Sequence, residues 1–88
     1  MKGQVFVGCR GDNKIIMFNE QSDGKLEMGS SFKVGDFPRH FSVIEREGFF
    51  IFVACQKGNI VERYHVSEKV VLLNQLTIKN PTCVIPVL

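Results

Sequence analysis

The sequence lacks several features on which small proteins commonly depend. Its 88 residues contain no tryptophan, one tyrosine and three cysteines, Cys9, Cys55 and Cys83. An odd number of cysteines without a CxxC pair argues against a disulfide framework and against a zinc ribbon. We therefore expect buried, reduced thiols and a cytoplasmic location. With eight phenylalanines in the chain, we expect a core of phenylalanine, valine and isoleucine.

Long apolar runs and an excess of one charge are absent as well. The longest apolar runs are a few residues, such as residues 49–55, whereas a transmembrane helix needs about 20. The run that follows the first residues is too short for a secretory signal peptide. Eleven Lys and Arg against nine Asp and Glu give a net charge of +2, without the clustered basic stripe of a nucleic-acid binder. We expect neither a membrane span nor a nucleic-acid partner.

Short runs rich in β-branched and aromatic residues follow one another along the whole chain. Each run is bounded by Gly, Pro, Asn or Asp, and no segment keeps an apolar period of 3.6 residues. The pattern predicts an all-β fold without helices. The eight expected strands cover residues 4–9, 14–19, 25–34, 39–44, 49–55, 59–66, 69–78 and 82–87.

The chain also contains an internal repeat. Val-Phe-Val-Gly-Cys at residues 5–9 aligns with Ile-Phe-Val-Ala-Cys at residues 51–55, and Asn13 aligns with Asn59, both at an offset of 46. Later in each copy the offset shortens to 44, as for Val34 and Ile78. A four-stranded unit that recurs every roughly 40 to 50 residues is typical of a β-propeller blade.

The repeat predicts a partial β-propeller of two four-stranded antiparallel blades. Residues 1–34 with 82–88 would form one blade and residues 38–78 the other, so that the last strand completes the first blade. A blade exposes apolar side chains on both faces, and about three repeats are usually needed for a stable stack. We therefore expect a fragment of a longer propeller, or self-association or pairing with further propeller blades.

Five short motifs carry a resemblance to a known family. They read Pro38-Arg39-His40-Phe41, Gly48-Phe49-Phe50, Val53-Ala54-Cys55-Gln56, Asn59-Ile60-Val61-Glu62-Arg63-Tyr64 and Pro81-Thr82-Cys83-Val84. In this order they resemble the C-terminal part of the seven-bladed propeller lactonases, the 6-phosphogluconolactonase and 3-carboxymuconate cyclase group. Cys55 stands where that family commonly has asparagine. Because seven blades need on the order of 300 residues, the match corresponds to about a quarter of a family member.

The resemblance implies hydrolysis of a small anionic sugar lactone, similar to 6-phosphogluconolactone, at the channel mouth on one rim. Arg39 would bind the anionic group or stabilise the oxyanion, and His40 would be a general base or acid. Gln56, Lys57, Asn59 and Arg10 are candidate substrate-binding residues on the same rim. Neighbouring strand residues face opposite sides, so we do not expect both Arg39 and His40 to face the channel.

Other interpretations of these residues stay open. Asn59 is also typical of a turn that it caps, and Lys57 and Arg10 are also typical solvated charges. We expect no cofactor and no metal, because the two histidines lack ligand spacing. A carboxymuconate cycloisomerase-type enzyme and a non-enzymatic, self-associating blade module are alternative functions. An isolated chain of this length is expected to have little lactonase activity, because a channel needs the remaining blades.

Overall fold

The computed structural model describes residues 3–87, and they form seven β-strands and no helix. The all-β prediction is confirmed, and these residues contain no helix capable of spanning a membrane. Seven of the eight predicted strands are present, with ends within two residues of the predicted ones. They are β1 (Gln4–Cys9), β2 (Lys14–Glu20), β3 (Leu26–Lys33), β4 (Pro38–Glu45), β5 (Phe49–Cys55), β6 (Ile60–Val66) and β7 (Val70–Thr77).

The strands form two antiparallel sheets in the order of the chain. The first sheet has the order β1-β2-β3 and the second the order β4-β5-β6-β7. Tight hairpin turns connect neighbouring strands, and two of them place a glycine at positive φ, Gly24 at 86° and Gly48 at 101°. The predicted division into two blade-like sheets is confirmed, with three strands in the first sheet.

The internal repeat of the sequence is also a repeat of the backbone. A β-bulge lies between Met17 and Phe18 in the first sheet and between Arg63 and Tyr64 in the second, 46 residues later. β1, β2 and β3 therefore correspond to β5, β6 and β7. The edge strand β4 of the second sheet has no counterpart among the strands of the first.

The core lies between the two sheets, which pack face to face. Ile15 of β2 and Ile51 and Val53 of β5 are fully buried there. The ring centroids of Phe32 and Tyr64 lie 5.1 Å apart across this interface. Fully burying an aliphatic side chain of this size contributes about 1.5–3 kcal/mol, so this interface stabilises the pairing of the sheets.

The end of the chain differs from the prediction that it completes the first blade. Residues 81–87 are not a strand, and Val84 instead contacts β4: its N–H donates to His40 Nδ1 at 3.2 Å and its carbonyl accepts from Ser42 Oγ at 2.6 Å. Pro81 and Pro86 have no backbone N–H to donate to a ladder. Following β7, the segment reaches the side of β4 turned away from the first sheet and not the edge of β1.

Candidate anion-binding site

The loop between β3 and β4 is held by hairpins of both sheets. In the first sheet Asn13 accepts hydrogen bonds from Val34 N at 2.9 Å, through its carbonyl, and from Phe37 N at 2.8 Å, through Oδ1. In the second sheet Gln56 N donates to Phe37 O at 2.9 Å. Phe37 has a φ of +61°, a left-handed conformation that costs on the order of 1–3 kcal/mol for such a residue. The two sheets together fix this strained loop at one end of the molecule.

Two cations from different sheets lie over the ring of Phe37. The guanidinium carbon of Arg10, in the β1–β2 turn, is 5.3 Å from the ring centroid. The ammonium of Lys57, in the β5–β6 turn, is 4.5 Å from it. Each such cation–π contact contributes about 0.5–1 kcal/mol at an exposed position. Phe37 therefore brings two positive charges from separate hairpins to one place.

Arg39 adds a third cation to this group. The register of β4 against β5 shifts between Pro38 and His40, which makes Arg39 the extra residue of a β-bulge. Bulges redirect side chains and are common next to functional sites. Arg39 Nη1 donates to Gln56 Oε1 at 3.4 Å, and Arg10 Nη2 donates to the carbonyl of Arg39 at 3.2 Å. We call Arg10, Phe37, Arg39, Gln56 and Lys57 the rim cluster.

Within the described residues, the cations of the rim cluster form no salt bridge. Among residues 3–87 the ion pair is Lys14 with Asp12 at 3.9 Å, and no carboxylate lies within that range of the three cations. Asp36 is nearby, and its Oδ1 accepts from Asn13 Nδ2 at 3.2 Å. A guanidinium presents a planar fork of donors that matches the oxygens of a carboxylate or phosphate. The cluster is therefore suited to an anionic ligand.

A comparison with protein-family models identifies the family of this chain. A family model described as "Lactonase, 7-bladed beta-propeller" matches residues 2–86. The chain belongs to this lactonase family. No curated protein and no solved structure matches the sequence of this chain. The resemblance predicted from the five motifs is confirmed at the level of the family.

This lactonase-family chain brings four of the six predicted site residues together. Arg39, Gln56, Lys57 and Arg10 all belong to the rim cluster, where Arg10 and Lys57 contact Phe37 and not only solvent. Sequence reasoning missed Phe37 as a member of the cluster. The sequence signal for Phe37 was its position in the turn before Pro38, between the β1–β2 and β5–β6 hairpins along the chain.

His40 is directed elsewhere. Its Nδ1 accepts from Val84 N, so a neutral imidazole carries its proton on Nε2. Nε2 lies 4.0 Å from the sulfur of Cys83, which is exposed and not buried as expected. The structure thus places the His40 ring against residues 83–84 and not in the rim cluster.

The Asn59 side chain has a loop contact that matches its repeat partner. Its Oδ1 accepts from Asn80 N at 3.0 Å, as Asn13 Oδ1 accepts from Phe37 N. The two asparagines share a left-handed φ, 53° for Asn13 and 54° for Asn59. The carboxamide oxygen of Asn59 therefore hydrogen-bonds to the loop after β7, which is a structural role in a turn. Residues 3–87 contain no group of three or more His, Cys, Asp or Glu side chains that could hold a metal ion.

A buried carboxyl group hydrogen-bonds to the loop between β3 and β4. Glu62 is 7% exposed, and its Oε1 accepts from Gly35 N at 2.8 Å, Tyr64 OH at 3.0 Å and Cys55 Sγ at 3.4 Å. Burial, together with the charge and hydrogen bond of Glu62, raises the pKa of Cys55 from 9.0 to about 12 and raises that of Tyr64 as well. Both groups stay protonated donors at neutral pH, and Cys55 is not a nucleophile.

The raised pKa of Cys55 predicts a loss of stability in alkaline solution. The unfolded chain loses the thiol proton near pH 9.0 and the folded chain near pH 12, so the folded state binds more protons between these values. The stabilisation is complete below pH 9 and is lost as the pH rises through this window. We expect the urea midpoint to fall above pH 9, and to fall less in Cys55→Ala. Equal pH dependence in the two proteins would contradict the assignment.

Proposed function

We propose that the rim cluster binds the anionic group of a sugar lactone, such as the phosphate of 6-phosphogluconolactone. The observation that carries this proposal is the placement of Arg10 and Lys57 over the ring of Phe37, with Arg39 hydrogen-bonded to Arg10 and Gln56 beside them. Within the part of the chain that the structure describes, none of these cations has a carboxylate partner. Family membership supports lactone hydrolysis as the reaction to which this binding contributes.

The chemistry of lactone opening defines what the cluster has to do. Water adds to the lactone carbonyl carbon and gives a proton to solvent, while the carbonyl oxygen becomes an oxyanion. The ring C–O bond then breaks, the ring oxygen takes a proton from solvent to become a hydroxyl group, and the carboxylic acid that forms loses its proton, so one proton is released in total. The Arg39 guanidinium holds the anionic group or the developing oxyanion with two parallel N–H donors. Gln56 accepts from Arg39 and orients the guanidinium. Substrate, oxyanion and product are all anionic, so positive charge is useful at every stage.

The first test is ligand binding by the chain itself. We expect 6-phosphogluconate, the stable product of the reaction, to shift the backbone amide signals of Arg10, Phe37, Arg39 and Lys57 in 15N–1H spectra at low ionic strength. Arg39→Ala should bind it about tenfold more weakly, which corresponds to about 1.4 kcal/mol. Added salt should weaken binding, because exposed charges are screened.

The matched control is Arg46→Ala. Arg46 is an exposed arginine just beyond the other end of β4, so its removal changes the net charge equally without touching the rim cluster. Equal loss of affinity in both variants would contradict the proposal, since it would show a response to net charge alone. Lactone turnover by the same chain, measured as acid release above the spontaneous rate, should be slow and should fall further in Arg39→Ala.

A further inference from the structure

The interface between the two sheets has a counterpart on the outside of the molecule. Three side chains of the first sheet pack against the second sheet, and their repeat equivalents lie on the face of the second sheet that is turned away from the first. The packed residues are Phe6, Ile15 and Phe32, and their equivalents are Phe52, Val61 and Leu76. These three equivalents line an open cavity of about 440 Å³, and Leu76 is 59% exposed.

The outer face of the first sheet presents the other half of the same interface. The side chains of the second sheet that pack against the first sheet include Ile51, Val53 and Tyr64. Their repeat equivalents are Val5, Val7 and Phe18. Val5 and Val7 are 41% and 40% exposed, whereas Ile51 and Val53 are fully buried. The molecule therefore shows one largely apolar surface at each end, and these aliphatic and aromatic positions repeat those of the two sides of its own core. The charged exceptions are Lys14, at the place of Ile60, and Arg63, at the place of Met17.

The polar member of the internal interface is absent from this outer pair of surfaces. Glu62 is buried between the sheets, and its equivalent on the outer face of the first sheet is Ile16. A contact built from the outer faces would therefore bury an isoleucine in the place of a carboxyl group. Arg63, the repeat equivalent of Met17, lies on the outer face of the second sheet and donates to Asn74 Oδ1 at 3.1 Å, so this charge would lie in the contact with a hydrogen-bond partner of its own.

The loop after β7 repeats the contacts of the loop that leads from β3 to β4. Ile78 N donates to Asn59 O at 3.0 Å, as Val34 N donates to Asn13 O at 2.9 Å. Asn80, like Phe37, has a left-handed φ, 50° and 61° respectively. Residues 81–87 then run along the second sheet, with Ile85 72% exposed and Val87 91% exposed. Residues 81–87 thus follow β7 as β4 follows β3, but among the described residues they pair with no sheet.

The first sheet has the edge that such a strand would need. Gly3 O accepts from Glu20 N at 2.9 Å, so the alternation of an antiparallel ladder turns the backbone groups of Gln4, Phe6 and Gly8 away from β2. Within residues 3–87 no strand pairs with this edge of β1. In the second sheet the equivalent edge of β5 pairs with β4. An uncovered edge of this kind is a template for pairing with another chain.

We propose that copies of this chain associate head to tail. The outer face of the first sheet in one copy packs on the outer face of the second sheet in another, and residues 82–87 of the latter pair with β1 of the former. Val5 and Phe18 of one copy then pack with Phe52 and Leu76 of the other, as Ile51 and Tyr64 share one core cluster with Phe6 and Phe32 within one chain. Because the two surfaces differ, the association produces rings or open chains of copies.

Sedimentation equilibrium tests the association. We expect the weight-average mass to rise with concentration above the 10.0 kDa of one chain. Leu76→Asp should weaken association at least tenfold. Leu72→Asp is the matched control, because Leu72 lies on the same strand, is 46% exposed and faces the other side of the sheet. A mass of one chain at all concentrations up to about 0.5 mM, or equal effects of both variants, would overturn the proposal.

A mixing experiment tests the head-to-tail arrangement. Val5→Asp damages one surface and Leu76→Asp the other, so each variant alone should be monomeric. An equimolar mixture retains one intact pair of surfaces and should form a dimer of twice the mass of one chain. Failure of the mixture to dimerise, with both variants folded by circular dichroism, would overturn the arrangement.

Amide exchange tests the strand pairing separately. The amides of Phe6 and Gly8 should exchange more slowly as the concentration of chain rises. Removal of residues 82–88 should abolish this protection. Fast exchange of both amides in the associated protein would overturn the pairing of residues 82–87 with β1. None of these measurements depends on the lactone-binding proposal.

Discussion

Replacing Glu62 with alanine is expected to lower the free energy of unfolding by about 3–4 kcal/mol. The side chain is buried, and one carboxyl oxygen accepts hydrogen bonds from Gly35 N, Tyr64 OH and Cys55 Sγ. Alanine leaves Gly35 N and Cys55 Sγ without this acceptor and leaves Tyr64 OH with only the Lys33 carbonyl at 3.4 Å, and each buried donor left unpaired costs about 1–3 kcal/mol. A domain is typically stable by only about 5–15 kcal/mol, so this one change removes a large part of the total.

Urea unfolding followed by circular dichroism measures this effect. Glu62→Gln keeps an acceptor oxygen at the same place and should cost about 1–2 kcal/mol. Glu68→Ala, at an exposed glutamate in the β6–β7 turn, should change stability by less than about 0.5 kcal/mol. A destabilisation of Glu62→Ala no larger than that of Glu68→Ala would show that the buried network contributes nothing.

Replacing Ile15 with alanine is expected to cost about 2–5 kcal/mol. Ile15 is fully buried between the sheets, where Ile51 and Val53 of the second sheet are also fully buried. The close packing of such an interface relaxes only partly around a deleted side chain, so a cavity penalty adds to the lost transfer free energy.

Ile16 supplies the matched control for this prediction. It is the same residue type on the same strand, it faces the other side of the first sheet, and it is only partly buried. Ile16→Ala should therefore cost less than half as much at a protein concentration where the chain is monomeric. Equal losses for Ile15→Ala and Ile16→Ala in urea unfolding would contradict face-to-face packing of the sheets.

The strands and their division into two units could be predicted because the signals are local. Alternating β-branched and aromatic runs bounded by turn residues identify strands, and the repeated Val-Phe-Val-Gly-Cys and Ile-Phe-Val-Ala-Cys segments relate the sheets. The closing strand could not be placed in this way. Which edge residues 82–87 join depends on how many sheets lie between that segment and β1, and this number is not a property of the local sequence.

The rim cluster was partly predictable for the same reason. The turns that carry Arg10, Gln56 and Lys57 follow equivalent strands of a repeat, so they meet at one end of the molecule. Strand alternation alone predicted that Arg39 and His40 do not both face the channel. The β-bulge at Arg39 and the contact of His40 with Val84 depend on the tertiary arrangement and were not accessible in this way.

Glu62 was overlooked although the sequence contained a signal for it. In β6 it alternates with Ile60, Tyr64 and Val66, which places it on the apolar face of the strand. A carboxyl group on that face has to be hydrogen-bonded, but its partners come from β5 and from the loop at Gly35. Only the three-dimensional arrangement shows that it supports the loop on which Phe37 and Arg39 depend.

Nuclear Overhauser effects between aromatic rings test the central claim most directly, namely that the two repeats form separate sheets stacked so that their turns share one rim. We expect cross-peaks between the ring protons of Phe32 and Tyr64 and between those of Phe6 and Phe49, whose ring centroids are 5.1 Å apart in each pair. Spectra that show the ladders within both sheets but neither of these contacts would contradict the stacking, and with it the assembly of the rim cluster.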